Sequence, residues 1–248
     1  MRLKIAMAHH KTPKDGDPAL RDSRYIHIGT GEARICPTIH HDNDGEDNIA
    51  ELNYTFCELT HLYWLWKHLD ELIDEDGEQV ADTEYIGLCH YRRRFDLNSL
   101  EGMLEVMKPD IVCSAPAPIG VYDIRHQYWA AHNKEDFELM LGYIKESFVH
   151  QKNPYITEAW LGMRLLPAPY NCVVMRKELF KDWCNRMFAV LLDIYKKRKD
   201  DIKKRDKYQQ RAMGFLGERF TSWYVSQMAC GLKKNVVAIG MEKTEGAI

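Results

Sequence analysis

Short apolar runs that alternate with longer helical patterns are the feature that most restricts how this chain can fold. The apolar runs, each four to six residues long as in buried strands, lie at 3–8, 25–28, 85–89, 110–113 and 170–175. Apolar positions with the three- and four-residue spacing of a packed helix lie at 49–72, 177–206 and 211–230. Strands that alternate with helices predict an α/β domain with a mostly parallel central sheet flanked by helices. We expect one domain over residues 1–248, because no segment has the composition of a linker.

The charge balance argues against a nucleic-acid-binding protein. The chain carries 34 basic and 37 acidic residues, which gives a net charge of -3. A phosphate-binding surface therefore has to come from local clustering of basic side chains and not from a global positive field.

Cysteine usage and the apolar runs indicate a cytoplasmic location. The seven cysteines are scattered, and no CxxC pair of the kind found in zinc ribbons and redox motifs is present. Scattered thiols suit a reducing compartment. No run approaches the roughly 20 apolar residues of a membrane-spanning helix, so we expect a soluble protein or one that binds a membrane peripherally.

Three arginines and a histidine directly follow the apolar run at 85–89. This segment, His90-Tyr91-Arg92-Arg93-Arg94, would emerge at the carboxyl end of a central strand. Guanidinium groups match the oxygens of a diphosphate in a geometry that lysine does not reproduce, so a diphosphate ligand is expected here. The alternative is a surface turn whose arginines pair with the acidic run at 70–84.

A second polar pair, His10-Lys11, follows the first apolar run. The carboxyl ends of parallel strands are where nucleotide bases and phosphates bind in open α/β sheets. We therefore expect His10 and Lys11 to lie near the diphosphate, the alternative being an ordinary solvated loop.

Five blocks of the sequence resemble a bacterial family of capsular and exopolysaccharide biosynthesis glycosyltransferases, first described as a domain of unknown function. The family signature GLxHYRRxF is matched at 87–95, and the block DNIxxxNxxxxELTxxYWxWK is matched at 47–67. The further matches are the HK pair at 10–11, an NxFxM-like segment at 171–175 and RxxGFLxER at 211–219. The resemblance thus runs from the first strand to the last helix.

The resemblance implies a single-domain, Rossmann-like type A glycosyltransferase (GT-A-like) that uses a nucleotide sugar. The expected donor is a UDP-linked hexose, with galactose as the leading expectation. The expected acceptor is a saccharide or polyprenyl-linked molecule of capsule, exopolysaccharide or O-antigen synthesis. Residues expected to bind the donor or shape its pocket are His10, Lys11, Asp47, Asn48, Asn53, Glu58, Lys67, His90, Tyr91, Arg92, Arg93, Asn171 and Arg211. His68 and Cys172-Val173 depart from the family pattern, which leaves the substrate preference open.

An inverting transferase also needs a group that takes the proton of the acceptor hydroxyl. Glu218, in the last helical pattern, is the expected base, and His90 is the second expected catalytic residue. The alternative for Glu218 is an ordinary helix carboxylate paired with Arg211 or Arg219.

We predict no metal ligands. Asp42-Asn43-Asp44 has the DxD form that holds a divalent cation in many type A enzymes, yet it lies in an acidic, turn-like run without a preceding apolar strand. His90, Arg92 and Arg93 are expected to stabilise the departing diphosphate without a cofactor. The alternative is Mn²⁺ or Mg²⁺, since His90 could serve as a ligand.

Two alternatives concern partners and activity. The basic run at 196–205 is either a solvated helix face with internal ion pairs, or a surface for anionic lipid at the inner face of the plasma membrane. The alternative to catalysis is a module that binds a nucleotide sugar without turning it over.

Overall fold

A mixed sheet lies at the centre of the protein. The computed structural model describes residues 2–12, 16–30, 33, 40–73, 77, 79–147 and 155–244. Within these residues the strands are β1 (Leu3–His9), β2 (Tyr25–Gly29), β3 (His40–His41), β4 (Tyr85–His90), β5 (Arg93–Arg94), β6 (Ile111–Ser114), β7 (Ala117–Pro118), β8 (Leu165–Leu166), β9 (Val173–Arg176), β10 (Val236–Ile239) and β11 (Glu242–Lys243). The main path of the sheet runs β10-β6-β9-β4-β1-β2-β3.

Strand direction confirms the prediction of a mostly parallel arrangement, with one reversal along the main path of the sheet; off this path, β5 is antiparallel to β4 and to β11. β4, β1, β2 and β3 are parallel neighbours, and β10 is parallel to β6. β9 is antiparallel to both of its neighbours, β4 and β6. The amino end of β9 therefore lies at the same edge of the sheet as the carboxyl ends of β1 and β4.

Helices cover both faces of the sheet, as the sequence pattern predicts. They are α1 (Asn53–Phe56), α2 (Leu59–His68), α3 (Leu97–Met107), α4 (Ile124–Ala131), α5 (Lys134–Ser147), α6 (Tyr155–Leu161), α7 (Lys177–Ile202) and α8 (Ala212–Ser226), the last continued by a π-turn at Gln227–Gly231. One apolar core packs α2, α7 and α8 on one face, and a smaller one packs α3 on the other. In the described part of the chain, no helix is both long and apolar enough to span a bilayer.

The predicted helix over 49–72 is wrong in its continuity, because the chain breaks at Cys57. This residue has φ 52° and ψ -128°, which separates α1 from α2. The amide of Asn53 donates a hydrogen bond to the Cys57 carbonyl at 3.0 Å, and the Thr60 hydroxyl oxygen lies 3.1 Å from the same carbonyl. The break places Glu58 at the amino end of α2.

The predicted strand at 170–175 begins later than expected, at Val173. Residues Pro169–Asn171 instead form a short 3-10 turn. The turn contains left-handed backbone angles, which a strand cannot accommodate. The predicted helix over 177–206 ends at Ile202.

Candidate functional site

The polar groups predicted to bind a ligand meet at the edge where β1 and β4 end and β9 begins. β1 is followed by His10, and β4 ends at His90. The turn before β9 supplies Asn171. From the helical layer, α2 brings Glu58 to the same place.

Two imidazoles and one carboxylate form the centre of this site. One side-chain nitrogen of His10, one of His90 and a carboxylate oxygen of Glu58 lie within 4.8 Å of one another. His90 Nε2 is 3.7 Å from Glu58 Oε1, and the two side chains are 15% and 10% exposed. The centre is thus almost enclosed by protein and keeps a narrow opening to solvent.

A buried hydrogen-bond chain holds the carboxylate in place. Asn171 Nδ2 donates to Glu58 Oε1 at 2.8 Å, and Thr221 Oγ1 lies 2.7 Å from Asn171 Oδ1. Asn171 and Thr221 are fully buried. Because Thr221 is on α8 and Glu58 is on α2, the chain ties two helices and the turn before β9 together.

The turn before β9 is strained. Ala168, Tyr170 and Asn171 have φ values of 47°, 66° and 56°, and such non-glycine residues cost of order 1 kcal/mol or more each. Two side chains fix Tyr170: His90 Nε2 donates to its carbonyl at 3.0 Å, and Glu218 Oε1 accepts from its amide at 2.8 Å. Backbone strain of this kind clusters at functional sites.

Arg92 and Arg93 border this centre and have no acidic partner among the described residues. The Arg93 guanidinium lies 4.0 Å from the centre of the Tyr170 ring, and its buried Nε has no hydrogen-bond partner among the described residues. The Arg92 guanidinium lies 5.2 Å from the centre of the Tyr91 ring. No described carboxylate forms an ion pair with either arginine, but four acidic residues of the run at 70–84 lie outside the described residues, so the alternative of a surface turn paired with that run stays open. Arg94, by contrast, pairs with Asp17 at 2.7 Å.

Histidines around the centre are held neutral by burial. Desolvation lowers the pKa of His10 from 6.5 to about 4, against the opposing effect of Glu58. Burial lowers the pKa of His9 to about 3, and the neighbouring His27 acts in the same direction. Full burial also lowers the pKa of His61, whose ring packs edge-on to His10 at 5.5 Å. Positive charge near neutral pH therefore comes from arginine.

Glu218 and Arg211 are near the site but are engaged by protein groups. Beside its bond from Tyr170, Glu218 forms an ion pair at 2.5 Å between Oε2 and Arg219 Nη1. This is the pairing that the alternative reading of Glu218 expects. Arg211 Nε donates to the sulfur of Cys57 at 3.2 Å, and its guanidinium lies 5.5 Å from the Phe215 ring centre.

Several predicted donor-site residues have local roles in the chain before and around α1. Lys67 Nζ pairs with Asp47 at 3.1 Å, and Asp47 also accepts a hydrogen bond from the Tyr63 hydroxyl. Asn48 binds the backbone of its own turn, and Asn53 donates to the Cys57 carbonyl and to Thr60. No described contact joins these side chains to the His90 centre. Lys11 is exposed beyond β1.

Both carboxylates of the DxD sequence at 42–44 have hydrogen-bond partners within the protein. Asp42 is buried and accepts a hydrogen bond from Thr60 Oγ1 at 2.5 Å, while Asp44 accepts from the His41 amide at 2.8 Å. Burial raises the pKa of Asp42. Both carboxylates therefore anchor their loop.

In the described part of the chain, His10, Glu58 and His90 are the one group of side chains spaced to hold a metal ion. Two imidazoles and a carboxylate suit a divalent transition metal. Charges of both signs act on this spot: Glu58 favours protonation of His10, and Arg211 and Arg92 oppose it.

A separate groove of about 260 Å³ lies beside Arg94 and Tyr25. Its main charged groups are already paired: Arg94 with Asp17, and Arg24 with Asp22 and Glu101. The groove therefore offers a ligand few free polar groups.

Sequence reasoning missed Thr221 and Tyr170. Thr221 sits inside an apolar helical pattern, where a lone threonine looks like ordinary core packing. Tyr170 was placed in a strand. The two Pro residues at 167 and 169 were the signal for a turn at this point.

Comparison with known proteins gives the class of the chain. Residues 4–229 match the family described as Domain of unknown function (DUF4422), and since this is most of the chain, the protein belongs to that family. No curated protein matches. Among solved structures, the chain is similar to the apo structure of WbbM, a bifunctional glycosyltransferase, with a TM-score of 0.76 and 18% identity. The match covers 99% of this chain and 46% of that one, and it confirms an α/β fold of the GT-A-like type.

Proposed function

We propose that this protein is a glycosyltransferase that moves a hexose, galactose as the first candidate, from a UDP-sugar to a saccharide or polyprenyl-linked acceptor. The observation that carries the proposal is the pair of cations at the end of β4, Arg92 and Arg93, for which no described residue supplies an ion-pair partner. A buried arginine donor without a partner, as at Arg93 Nε, is rare in proteins unless a ligand or water completes it. The fold shared with WbbM supports the same reaction class.

In the proposed reaction, these arginines stabilise the leaving group. As the bond from the anomeric carbon to the diphosphate oxygen breaks, negative charge accumulates on the departing UDP. Arg92 and Arg93 lie at the edge where β1 and β4 end, and ligands of open α/β sheets bind outside that edge. Each guanidinium can donate two parallel hydrogen bonds to phosphate oxygens. We infer that they replace the metal ion of other type A enzymes.

The opposite end of β9 provides a matched control for this idea. Arg176 ends β9 at the far edge of the sheet and pairs with Glu84 at 2.9 Å. Substituting Arg176 removes one positive charge from the same sheet without touching the site.

A thermal-shift panel of nucleotide sugars, with and without Mn²⁺, tests the proposal. A ligand that binds only the folded state raises the melting temperature, and we expect a UDP-sugar to do so with or without the metal. Binding has to weaken in Arg93→Gln and stay unchanged in Arg176→Gln. No shift with any nucleotide sugar would refute the proposal.

The alternative function, a nucleotide-sugar-binding module without activity, gives the same thermal shifts. It differs in turnover. A transferase hydrolyses its correct donor slowly even without an acceptor, whereas the module leaves the UDP-sugar intact. Measuring UDP release from each donor that shifts the melting temperature separates the two.

The basic segment near the end of α7 gives limited support to a membrane contact. Arg198 and Arg205 point inward, where both bind the buried Asp136. The lysines of this segment are exposed, and Lys197 pairs with Asp193 at 3.0 Å. Peripheral binding at the inner face of the plasma membrane stays a proposal, testable by sedimentation with anionic vesicles.

A further inference from the structure

We propose that Glu58 is the base that takes the proton of the acceptor hydroxyl, and that Asn171 and Thr221 position it. The inference rests on the proposed function and deepens it. In the step concerned, the acceptor oxygen forms a bond to the anomeric carbon and its proton passes to Glu58. The bond from that carbon to the diphosphate oxygen breaks, and its electron pair leaves with UDP.

The two candidate carboxylates, Glu58 and Glu218, differ in how many of their oxygens are already bound by protein groups. Glu218 has both oxygens engaged, Oε1 by the Tyr170 amide and Oε2 by Arg219. Glu58 has one oxygen engaged, since Asn171 donates to Oε1. Its Oε2 has no hydrogen-bond partner among the described residues. A general base needs a lone pair that can point at the substrate, and Glu58 has one.

The position of Glu58 also fits the task. The centre formed with His10 and His90 lies at the ligand-binding edge of the sheet and keeps a narrow opening, with the Glu58 side chain 10% exposed. Arg92 and Arg93 border the same centre. A donor diphosphate on these arginines would therefore have its sugar close to this opening, within reach of an acceptor and of Glu58.

No buried cation among the described neighbours neutralises the charge of the Glu58 carboxylate. His10 stays neutral above acidic pH because burial disfavours its charged form. His90 donates its Nε2 proton to the Tyr170 carbonyl. Cys57 and Cys172, which also approach Glu58, keep their thiols protonated, because burial raises the pKa of both. Arg211 directly precedes α8, and its Nε is bound to the sulfur of Cys57.

The strained turn before β9 holds Asn171 in a left-handed conformation that suits the proposed positioning role. Asparagine tolerates positive φ better than most residues, and φ 56° aims its amide at Glu58. Thr221 then fixes the orientation of that amide, because its hydroxyl lies 2.7 Å from Oδ1. The amide NH₂ group is thus directed to the carboxylate and cannot rotate away.

The test is a set of purified full-length variants assayed with the UDP-sugar and acceptor that the wild type uses. Glu58→Gln should lower kcat by roughly 10²–10⁴-fold, the usual contribution of a positioned base, while UDP binding stays within about 3-fold because no diphosphate contact is lost. Glu218→Gln should lower kcat much less. A large loss in Glu218→Gln with an active Glu58→Gln would overturn the assignment.

A second pair of variants tests the positioning residues and does not depend on changing Glu58. Thr221→Val keeps the shape but loses the hydroxyl, so kcat should fall by roughly 10-fold as Asn171 loses its orientation, with KM for the donor unchanged. Thr221→Ser should restore kcat, because it restores the hydroxyl. Equal kcat in Thr221→Val and wild type, or a loss confined to KM, would contradict the positioning role.

These outcomes are separable from failure of the proposed function. If the wild-type protein neither binds nor turns over any nucleotide sugar, the proposed function fails before any variant is compared. If the wild type is active and Glu58→Gln keeps full kcat, the proposed function stands and the assignment of Glu58 is wrong.

Discussion

Replacing Gly87 with alanine should destabilise the protein by about 2 kcal/mol. Gly87 lies in β4 opposite Val174 of β9. A Cβ atom here would overlap the carbonyl oxygen of Val173 and lie 2.6 Å from Val174 Cγ2. The carbonyl belongs to the sheet backbone and cannot move aside cheaply, so the typical overpacking cost of 1–3 kcal/mol applies. Separation of β4 from β9 would also part His90 from Asn171, so donor affinity should fall with stability.

A control at Gly102 isolates the effect of crowding from that of glycine itself. Gly102 lies in α3, and outside the local helix backbone no atom of the described residues stands within 4 Å of where its Cβ would be. Gly102→Ala should therefore stabilise the protein by about 1 kcal/mol, the difference in helix propensity. In a domain of this size, about 2–4 °C in melting temperature corresponds to 1 kcal/mol. Gly87→Ala should melt roughly 4–8 °C below the wild type and Gly102→Ala roughly 2–4 °C above it. A Gly87→Ala variant as stable as the wild type would refute the reasoning.

Two further predictions concern buried charge, and a third concerns the metal. His9 and His10 have pKa values of about 3 and 4 in the folded state against 6.5 in the unfolded state, so the unfolded state binds more protons between these values and the free energy of unfolding falls as the pH drops below about 6.5. Each histidine should lower the free energy of unfolding by about 1–2 kcal/mol at pH 5. Equal urea midpoints at pH 7.5 and pH 5 would contradict this. Asp136→Asn should destabilise the folded protein by about 3 kcal/mol, because it leaves Arg198 and Arg205 without their buried carboxylate. Urea unfolding measures this loss. A change below about 1 kcal/mol would show that solvent already screens the ion pairs of Asp136. Chelation by EDTA should leave UDP-sugar turnover unchanged, and a loss that Mn²⁺ restores would place a metal in the mechanism.

The order of strands and helices could be predicted from the sequence because each is a local pattern. The apolar runs at 3–8 and 85–89 became β1 and β4 with nearly the expected bounds. The break at Cys57 could not be predicted, because apolar periodicity continues through it and cysteine carries no signal for positive φ. The reversed direction of β9 could not be predicted either, since a short apolar run carries no information on strand direction.

The candidate site could likewise be predicted only in part from the sequence. His10, His90, Arg92 and Arg93 could be located because they follow strands directly, and parallel strands end at a common edge. Lys67 and Asp47 resemble binding residues in sequence, yet they bind each other. The hydrogen-bond chain from Thr221 through Asn171 to Glu58 joins residues far apart in sequence, which come together because α8 packs against α1 and against the turn before β9.

Isothermal titration of UDP into the wild type, Arg93→Gln and Arg176→Gln tests the central claim most directly. Loss of one charged hydrogen-bonding partner costs about 1.5–3 kcal/mol, which is roughly 10–100-fold in Kd. We expect Arg93→Gln to show this loss and Arg176→Gln to bind UDP as the wild type does. Equal affinity in all three proteins, or no UDP binding by the wild type, would contradict a diphosphate site at the end of β4.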